Sequence, residues 1–279
     1  MSGVSRSLAP LLLACFGLVS CYMPTIARTR GYHPSDADFS VTRIVHGSVI
    51  LDFRETRILL DPWYSASPPL GPSVTIGLSL DNLPPLRGIL ITQRRNDHFD
   101  AETLRNFPDK SLRVIVRRGL GDELRAMGYQ DVVELEDWER SQIGGVIVTA
   151  VPVRQSVPEN GYVLQGNSLT VYVAGDTLFD EPLFRQIAER YPRIDVALLP
   201  IGGLRVVGSK LDMTPDEAAQ AFAILKPERV IPYDYELTGP FPFVTSATNP
   251  TKRFQTAVDA KAPGAVVVLD PGESWHHYR

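Results

Sequence analysis

Four short apolar segments of this chain, each typical of a buried strand, lead directly into polar side chains. The polar residues are Asp97 with His98, Gln155, Asp176 and Asp234. In α/β proteins the carboxyl ends of the strands meet at one edge of a sheet, and ligands bind at that edge. The pattern therefore predicts an α/β fold in which these side chains converge.

Helix starts alternate with such strands in the second half of the chain. Asp100 has the residue type of an N-cap, Thr214 to Glu217 has the composition of a capping box with proline at the first helical position, and Asn249 precedes another proline. The segments that predict strands include residues 40–51, 57–61, 88–92, 113–116, 146–151, 168–174, 196–201, 230–234 and 265–269. Early strands followed by alternating strands and helices predict helices packed outside β-sheets.

The first 37 residues differ from the rest of the chain. Arg6 precedes an apolar run, Leu8 to Val19, that is too short to span a bilayer and is typical of a signal peptide. The run ends in small residues before Cys21, which resembles the lipobox of bacterial lipoproteins, in which the cysteine is lipidated. We therefore expect a signal peptide over 1–21, a tether over 22–37 and a folded domain over 38–279. A plain secretory signal cut near the same place is the alternative.

This interpretation predicts an exported protein held in the bacterial cell envelope by a lipid anchor. Tyr22 follows the cysteine, where an aspartate would favour the inner membrane, so the resemblance favours the outer membrane. Cys15 and Cys21 are the only cysteines of the sequence. The mature domain would therefore contain no disulfide, no thiolate metal ligand and no cysteine nucleophile.

The composition limits the classes of partner that the chain can bind. Hydrophobic residues make up 44% of the 279 residues, which is enough for a sizeable core, and the formal net charge is −4. No basic stripe is present, so we expect no nucleic-acid partner.

The order of motifs resembles the metallo-β-lactamase superfamily, in the branch of ascorbate-phosphate lactonase and N-acylphosphatidylethanolamine phospholipase D. The resemblance covers about Val41 to Glu273 and implies an αββα sandwich, in which two mixed β-sheets pack face to face with helices outside. Its motifs here are His46 to Val49, Leu59 to Pro62, Thr92 to His98, Gly175 to Thr177, and Met213 to Asp234.

The resemblance also implies a pair of metal ions, of which the first is bound by three histidines. This sequence has Gln93, Arg95 and Gln155 at those positions. A glutamine carbonyl is a poor zinc ligand, and arginine does not lose its proton. A two-metal site is therefore not expected. Arg95 would instead place its guanidinium near the vacant position and pair with Asp176.

The second metal position of the family keeps most of its ligands. Asp97, His98 and Asp176 match, and Asp234 stands where the family has a last histidine. One histidine and three carboxylates would form a site for a single divalent ion, with Zn²⁺, Mn²⁺ or Fe²⁺ as candidates. Asp97 and Arg95 are the candidate catalytic residues of such a site.

Three hypotheses follow. The first is a non-catalytic relic that binds an unknown small molecule or an envelope protein. The second is a mononuclear hydrolase of a phosphodiester, lactone or amide. The third is metal-free acid–base chemistry by Tyr233 or Tyr235 beside Arg95. His46 is interpreted as structural support, and His276 and His277 as part of a solvated tail.

Overall fold

The computed structural model describes Tyr32, residues 35–65 and residues 71–278. The signal peptide, Cys21 and most of the proposed tether lie outside these residues. Within the described residues, no helix combines the length and the apolar character that crossing a membrane requires.

The helices are α1 (Ala101–Asn106), α2 (Gly121–Ala126), α3 (Glu181–Arg190), α4 (Pro215–Leu225) and α5 (Pro250–Asp259), with a 3₁₀ turn at Leu80–Asn82. The strands of the first half are β1 (Phe39–Val45), β2 (Ser48–Phe53), β3 (Thr56–Leu60), β4 (Gly71–Pro72), β5 (Gly88–Leu90), β6 (Arg113–Arg117), β7 (Asp131–Leu135), β8 (Arg140–Ile143) and β9 (Val146–Val151). Those of the second half are β10 (Gly161–Gly166), β11 (Leu169–Val173), β12 (Val196–Pro200), β13 (Arg205–Val206), β14 (Ser209–Lys210), β15 (Arg229–Tyr233), β16 (Leu237–Thr238), β17 (Val244–Thr245) and β18 (Ser274–His277).

Two large sheets form the centre of the fold, and both are mixed. The first has the order β18-β1-β2-β3-β5-β6-β7 and changes from antiparallel to parallel pairing between β3 and β5. The second has the order β15-β12-β11-β10-β9-β8, with its parallel pairs at the β15 side. Two small sheets, β14-β13-β17 and β16-β4, lie in the connections.

Apolar side chains fill three layers. Phe39 and Leu51 of the first sheet meet Tyr162 of the second in the layer between the sheets. Leu104 of α1 belongs to the layer outside the first sheet. Phe222 of α4 belongs to the corresponding layer outside the second sheet. The arrangement is an αββα sandwich, as the sequence predicts.

The predicted helix starts are present. Asp100 accepts hydrogen bonds from the second and third residues of α1, and the capping box between Thr214 and Glu217 begins α4. Asn249 precedes α5 but makes no side-chain cap, since its backbone is in the left-handed region.

Two predictions about strands are wrong. The run 40–51 is two strands, because the chain turns at His46-Gly47, where His46 has a φ of 49°. The predicted last strand, 265–269, makes only a bridge between Val266 and Val230. Instead, Ser274–His277 forms β18 beside β1, so His276 and His277 belong to a sheet and not to a solvated tail.

Candidate metal centre

The polar residues predicted from strand ends come together at one edge of the sandwich. The loop after β5 carries Asp97 and His98, Asp176 follows β11, and Asp234 follows β15. All four are buried, with exposed fractions between 0% and 6%. Strands from both sheets therefore position one cluster.

His98 is held in one orientation by a second carboxylate. Its Nδ1 lies 2.8 Å from Asp61 Oδ2, and Asp61 in turn accepts hydrogen bonds from the backbone N–H and the hydroxyl of Thr92 at 2.8 and 2.7 Å. The Nδ1–H therefore donates to Asp61, and in the neutral imidazole the lone pair of Nε2 is directed toward the cluster. A carboxylate behind a histidine is the usual support of a metal ligand in proteins.

The distances around His98 Nε2 suit a common cation. Oxygen atoms of Asp97, Asp176 and Asp234 lie 3.6, 3.3 and 3.8 Å from this nitrogen. Two ligand atoms that are each 2.0–2.2 Å from a tetrahedral ion lie about 3.3–3.6 Å from one another. The three distances from His98 Nε2 are therefore close to those expected between ligands of one ion.

Several atoms of the cluster lack hydrogen-bond partners among the described residues. They include His98 Nε2 and Asp176 Oδ1, which are both inaccessible to solvent. A buried polar atom without a partner is costly, and such atoms are rare in folded proteins. Their convergence fits the donor set of a divalent cation. Chemically, one imidazole and three carboxylates suit Mn²⁺, Fe²⁺ or Zn²⁺.

The three residues that replace histidines all act on Asp176. Gln93 Nε2 donates to Asp176 Oδ2 at 2.6 Å, and the Arg95 guanidinium contacts the same oxygen. Gln155 Nε2 donates to the Asp176 backbone carbonyl at 3.2 Å. We call Gln93, Arg95 and Gln155 the capping trio. Gln93 and Arg95 thus cover Oδ2 of Asp176 and leave Oδ1 facing His98, while Gln155 holds the backbone of the same residue.

His46 is part of the cluster, which the sequence did not predict beyond a supporting role. Its Nε2 contacts Asp234 and lies 3.5 Å from Asp97 Oδ2, and it forms with Asp97, His98 and Asp234 a group whose candidate ligand atoms are within 4.8 Å of one another. The N–H of Glu236 points at His46 Nδ1 at 3.2 Å, so the ring proton sits on Nε2. A protonated Nε2 donates to carboxylates and does not bind a metal.

The β1–β2 turn brings His46 to the end of β15. The backbone N–H of Asp234 donates to the His46 carbonyl at 3.1 Å. Gly47 permits the contact with His98, because a Cβ at this position would lie 3.3 Å from His98 Cε1. The turn that divides the predicted strand 40–51 is therefore a part of the site.

The charges of the cluster perturb one another. Burial alone would lower the pKa of His98, but the carboxylates of Asp97 and Asp61 raise it to about 9. Burial would likewise lower the pKa of His46, but Asp234 and Asp97 raise it. Burial favours the neutral form of Asp97, but His98, His46 and Arg95 hold its pKa well below the usual range. Without metal, the proton gained by His98 and the guanidinium of Arg95 offset part of the carboxylate charge.

Two further buried carboxyl groups lie beside the site and were missed. Glu159 Oε1 accepts from the Asp176 backbone N–H, and burial raises the pKa of Glu159 to about 8. Asp212 accepts from the Leu204 backbone N–H, and burial followed by repulsion from Asp234 raises its pKa. Both follow loop segments and not apolar strands, so the strand-end pattern gave no signal for them.

The buried cluster of histidine and aspartate lies at one edge of an αββα sandwich, and comparison with known proteins supplies the family. The model of the β-lactamase superfamily domain matches residues 56–235. The chain belongs to this superfamily.

Relatives of similar length carry the same kind of name. A UPF0173 metal-dependent hydrolase of Pyrococcus horikoshii is 31% identical over 78% of this chain and 90% of its own. One of Pyrococcus furiosus is 31% identical over 84% and 97%. The structure of Igni18, a metallo hydrolase from Ignicoccus hospitalis, has a TM-score of 0.66 at 23% identity, over 85% of this chain and 97% of that one. Its likeness shows the fold. The proposed branch of lactonases and phospholipases is not among these relatives.

Proposed function

We propose that this chain is a metal-dependent hydrolase that works with one divalent ion, held by Asp97, His98, Asp176 and Asp234. The observation that carries the proposal is the position of His98 Nε2, which lies 3.3–3.8 Å from three buried carboxylate oxygens. The names of relatives that are about 30% identical support the reaction class.

Burial supports an ion at this place. Each of the three carboxylates is at most 6% exposed, and converging buried charges repel one another unless a cation lies between them. A divalent ion bound there would lower the pKa of a water molecule and so supply a nucleophile. The His98 imidazole and the three carboxylates would hold it, and Asp61 would keep the imidazole oriented.

The capping trio supports one ion in place of two. Arg95 supplies a permanent positive charge where the family has a metal, and Gln93 and Gln155 donate to Asp176 where the family has ligands. The two donors on Oδ2 of Asp176, Gln93 and Arg95, leave that oxygen no free lone pair directed at a second ion.

Arg95 also gives the site a group that recognises substrate. Its side chain is 25% exposed while its guanidinium contacts Asp176 and its Nε lies 3.8 Å from Asp97 Oδ1. A guanidinium between buried carboxylates and solvent can stabilise the negative oxygen that develops when a phosphodiester, lactone or amide is attacked. His98, His46 and Arg95 hold the pKa of Asp97 low, so its carboxylate would be ionised and able to hold the ion.

A metal-free binding protein is the second candidate. It is favoured by the direct contacts of His46 with Asp234 and of Arg95 with Asp176, which balance two of the carboxylates within the protein itself. The named relatives give this candidate no support, since they are called hydrolases.

The location of the protein is part of the proposal. An apolar run that ends in small residues before Cys21 supports export and lipidation of that cysteine, with the outer membrane as destination. An envelope protein or a small molecule would then be the partner. Mass spectrometry of the membrane fraction tests this: a diacylglyceryl group on Cys21 is expected, and an unmodified chain that begins at Met1 would contradict it.

Hydrolysis of a panel of phosphodiesters, lactones and amides tests the reaction. The purified chain, loaded with Mn²⁺, Fe²⁺ or Zn²⁺, should hydrolyse at least one class, and chelation should abolish the activity. The variant His98→Ala should be inactive, whereas the matched control His276→Ala, in β18, should retain activity. Activity that persists after chelation or in His98→Ala would contradict a metal-dependent mechanism.

A further inference from the structure

Three apolar side chains stand out from the surface at one place. Phe241, Val207 and Phe243 are 84%, 75% and 61% exposed. No other phenylalanine in the described part of the chain is exposed. Single exposed apolar residues are ordinary, but a group of them that includes aromatic rings indicates an interaction surface. We call these three residues the apolar tip.

Backbone pairing holds the apolar tip together. The β13–β14 hairpin turns at Val207, and β13 pairs with β17 in the register Val206 to Val244. The Val207 N–H donates to the Phe243 carbonyl at 2.7 Å, and the Phe243 N–H donates to Pro240 at 2.9 Å. Two segments far apart in sequence are thus fixed to present three apolar side chains together.

The segments that carry the tip contain no acidic residue. Residues 201–211 have two basic side chains, Arg205 and Lys210, and residues 237–251 have no charged side chain at all. Arg205 is exposed beside the tip and donates to the Gly208 carbonyl at 3.1 Å, while Lys210 pairs with Glu217 of α4. The two segments that carry the tip are therefore neutral to basic in a chain whose net charge is −4, and Arg205 is their basic side chain without an acidic partner in either segment.

Both segments begin at the metal centre. A Cβ on Gly202 would lie 2.5 Å from Asp212 and 2.7 Å from the Asp234 carbonyl, so the first segment starts against the site. The second follows Glu236, whose N–H donates to His46. The apolar tip therefore belongs to the same edge of the sandwich as the candidate metal centre.

We propose that the apolar tip inserts into the interfacial layer of a phospholipid bilayer. The aromatic and aliphatic side chains of the tip match the boundary of the acyl chains in such a bilayer. The neighbouring arginine matches the anionic headgroups, and the tip segments contain no carboxylate that would repel them. A protein partner bound through Arg205 would need acidic groups opposite it, and this chain's own tip segments offer none. Insertion turns the edge that carries the metal centre toward the membrane. This surface is independent of the proposed hydrolysis, because no residue of the tip contacts the ligands.

Depth-dependent quenching tests the proposal on the full chain. Phe241→Trp places an indole at the tip, and Ile147→Trp is the matched control. Ile147 is also an exposed apolar residue, at 42%, but it lies at the start of β9, and the chain reaches Gln155 of the site only after the other end of that strand. Each variant is mixed with vesicles of phosphatidylcholine and phosphatidylglycerol, with or without bromine on the acyl chains. An N-terminal anchor would hold all variants on the vesicles equally, so a difference between them reports the tip.

Tryptophan at 241 should show a blue-shifted emission on vesicles and a loss of intensity with the brominated lipid. Tryptophan at 147 and the wild-type chain should show neither beyond the background of the native tryptophans. Equal quenching in the three proteins, or none at 241, would overturn the proposal. A blue shift at 241 that needs no lipid and rises with protein concentration would assign the tip to contact between two copies of the chain, and would overturn it as well.

Discussion

The substitution Arg95→Ala should destabilise the metal-free protein far more than its neighbour Arg94→Ala. Arg95 is 25% exposed and contacts Asp176, which is 1% exposed, whereas Arg94 is 71% exposed and pairs with Glu123 at the surface. Removing one partner of a buried ion pair costs about 3–5 kcal/mol, and partial exposure of Arg95 reduces this to roughly 2–4 kcal/mol. The exposed pair is worth about 0–1 kcal/mol.

Urea unfolding of both variants, with chelator and with saturating Mn²⁺ or Zn²⁺, measures these losses. In Arg95→Ala the carboxylate of Asp176 loses its permanent cation and keeps the hydrogen bond from Gln93 and the contact of Oδ1 with His98 Nε2. A bound ion would supply part of the missing charge, so the loss should be smaller in the metal-loaded protein. Equal losses for the two arginines would refute the role of Arg95 as a replacement cation. An equal loss with and without metal would refute the placement of the ion beside Asp176.

Three more outcomes follow from the same geometry. Asp61→Asn should lower metal affinity about 10–100-fold in a competition with a chromogenic chelator, because the carboxylate orients His98; unchanged affinity would show that His98 is no ligand. Metal affinity should fall by up to about tenfold for each pH unit below about 9, since His98 must lose its proton to bind. The raised pKa of His98 also affects the stability of the metal-free protein. The proton on His98 stabilises that fold fully below the ordinary histidine pKa of about 6.5, and this contribution is lost as the pH rises through about 9. Replacing the whole capping trio by histidine should raise the metal content from one ion to two per chain; a content that stays at one would show that more than the trio prevents the second site.

The sequence predicted the layers of the fold because the motifs come in a fixed order and the strands are strongly apolar. It also predicted the ion pair of Arg95 with Asp176, since a guanidinium beside a carboxylate is the expected substitute for a lost cation. The role of His46 could not be predicted in the same way. Its position depends on a left-handed turn and on the N–H of Glu236, which is 190 residues away in the chain.

The misassigned C-terminus has a similar cause. Residues 265–269 have the apolar pattern of a strand, but the chain leaves the second sheet there and crosses to the first. Gly272 donates to the Arg43 carbonyl and Arg43 donates back to Glu273, which begins the pairing with β1. Such tertiary contacts override a local pattern. Glu159 and Asp212 were missed because their burial comes from loops that no periodicity describes.

Metal content per chain tests the central claim most directly. Elemental analysis of the protein, purified without chelator and after loading with Mn²⁺, Fe²⁺ or Zn²⁺, should give one ion per wild-type chain and none in His98→Ala, with His276→Ala unchanged. A wild-type chain that binds no ion under any loading, or that binds two, would contradict a single-ion centre formed by Asp97, His98, Asp176 and Asp234.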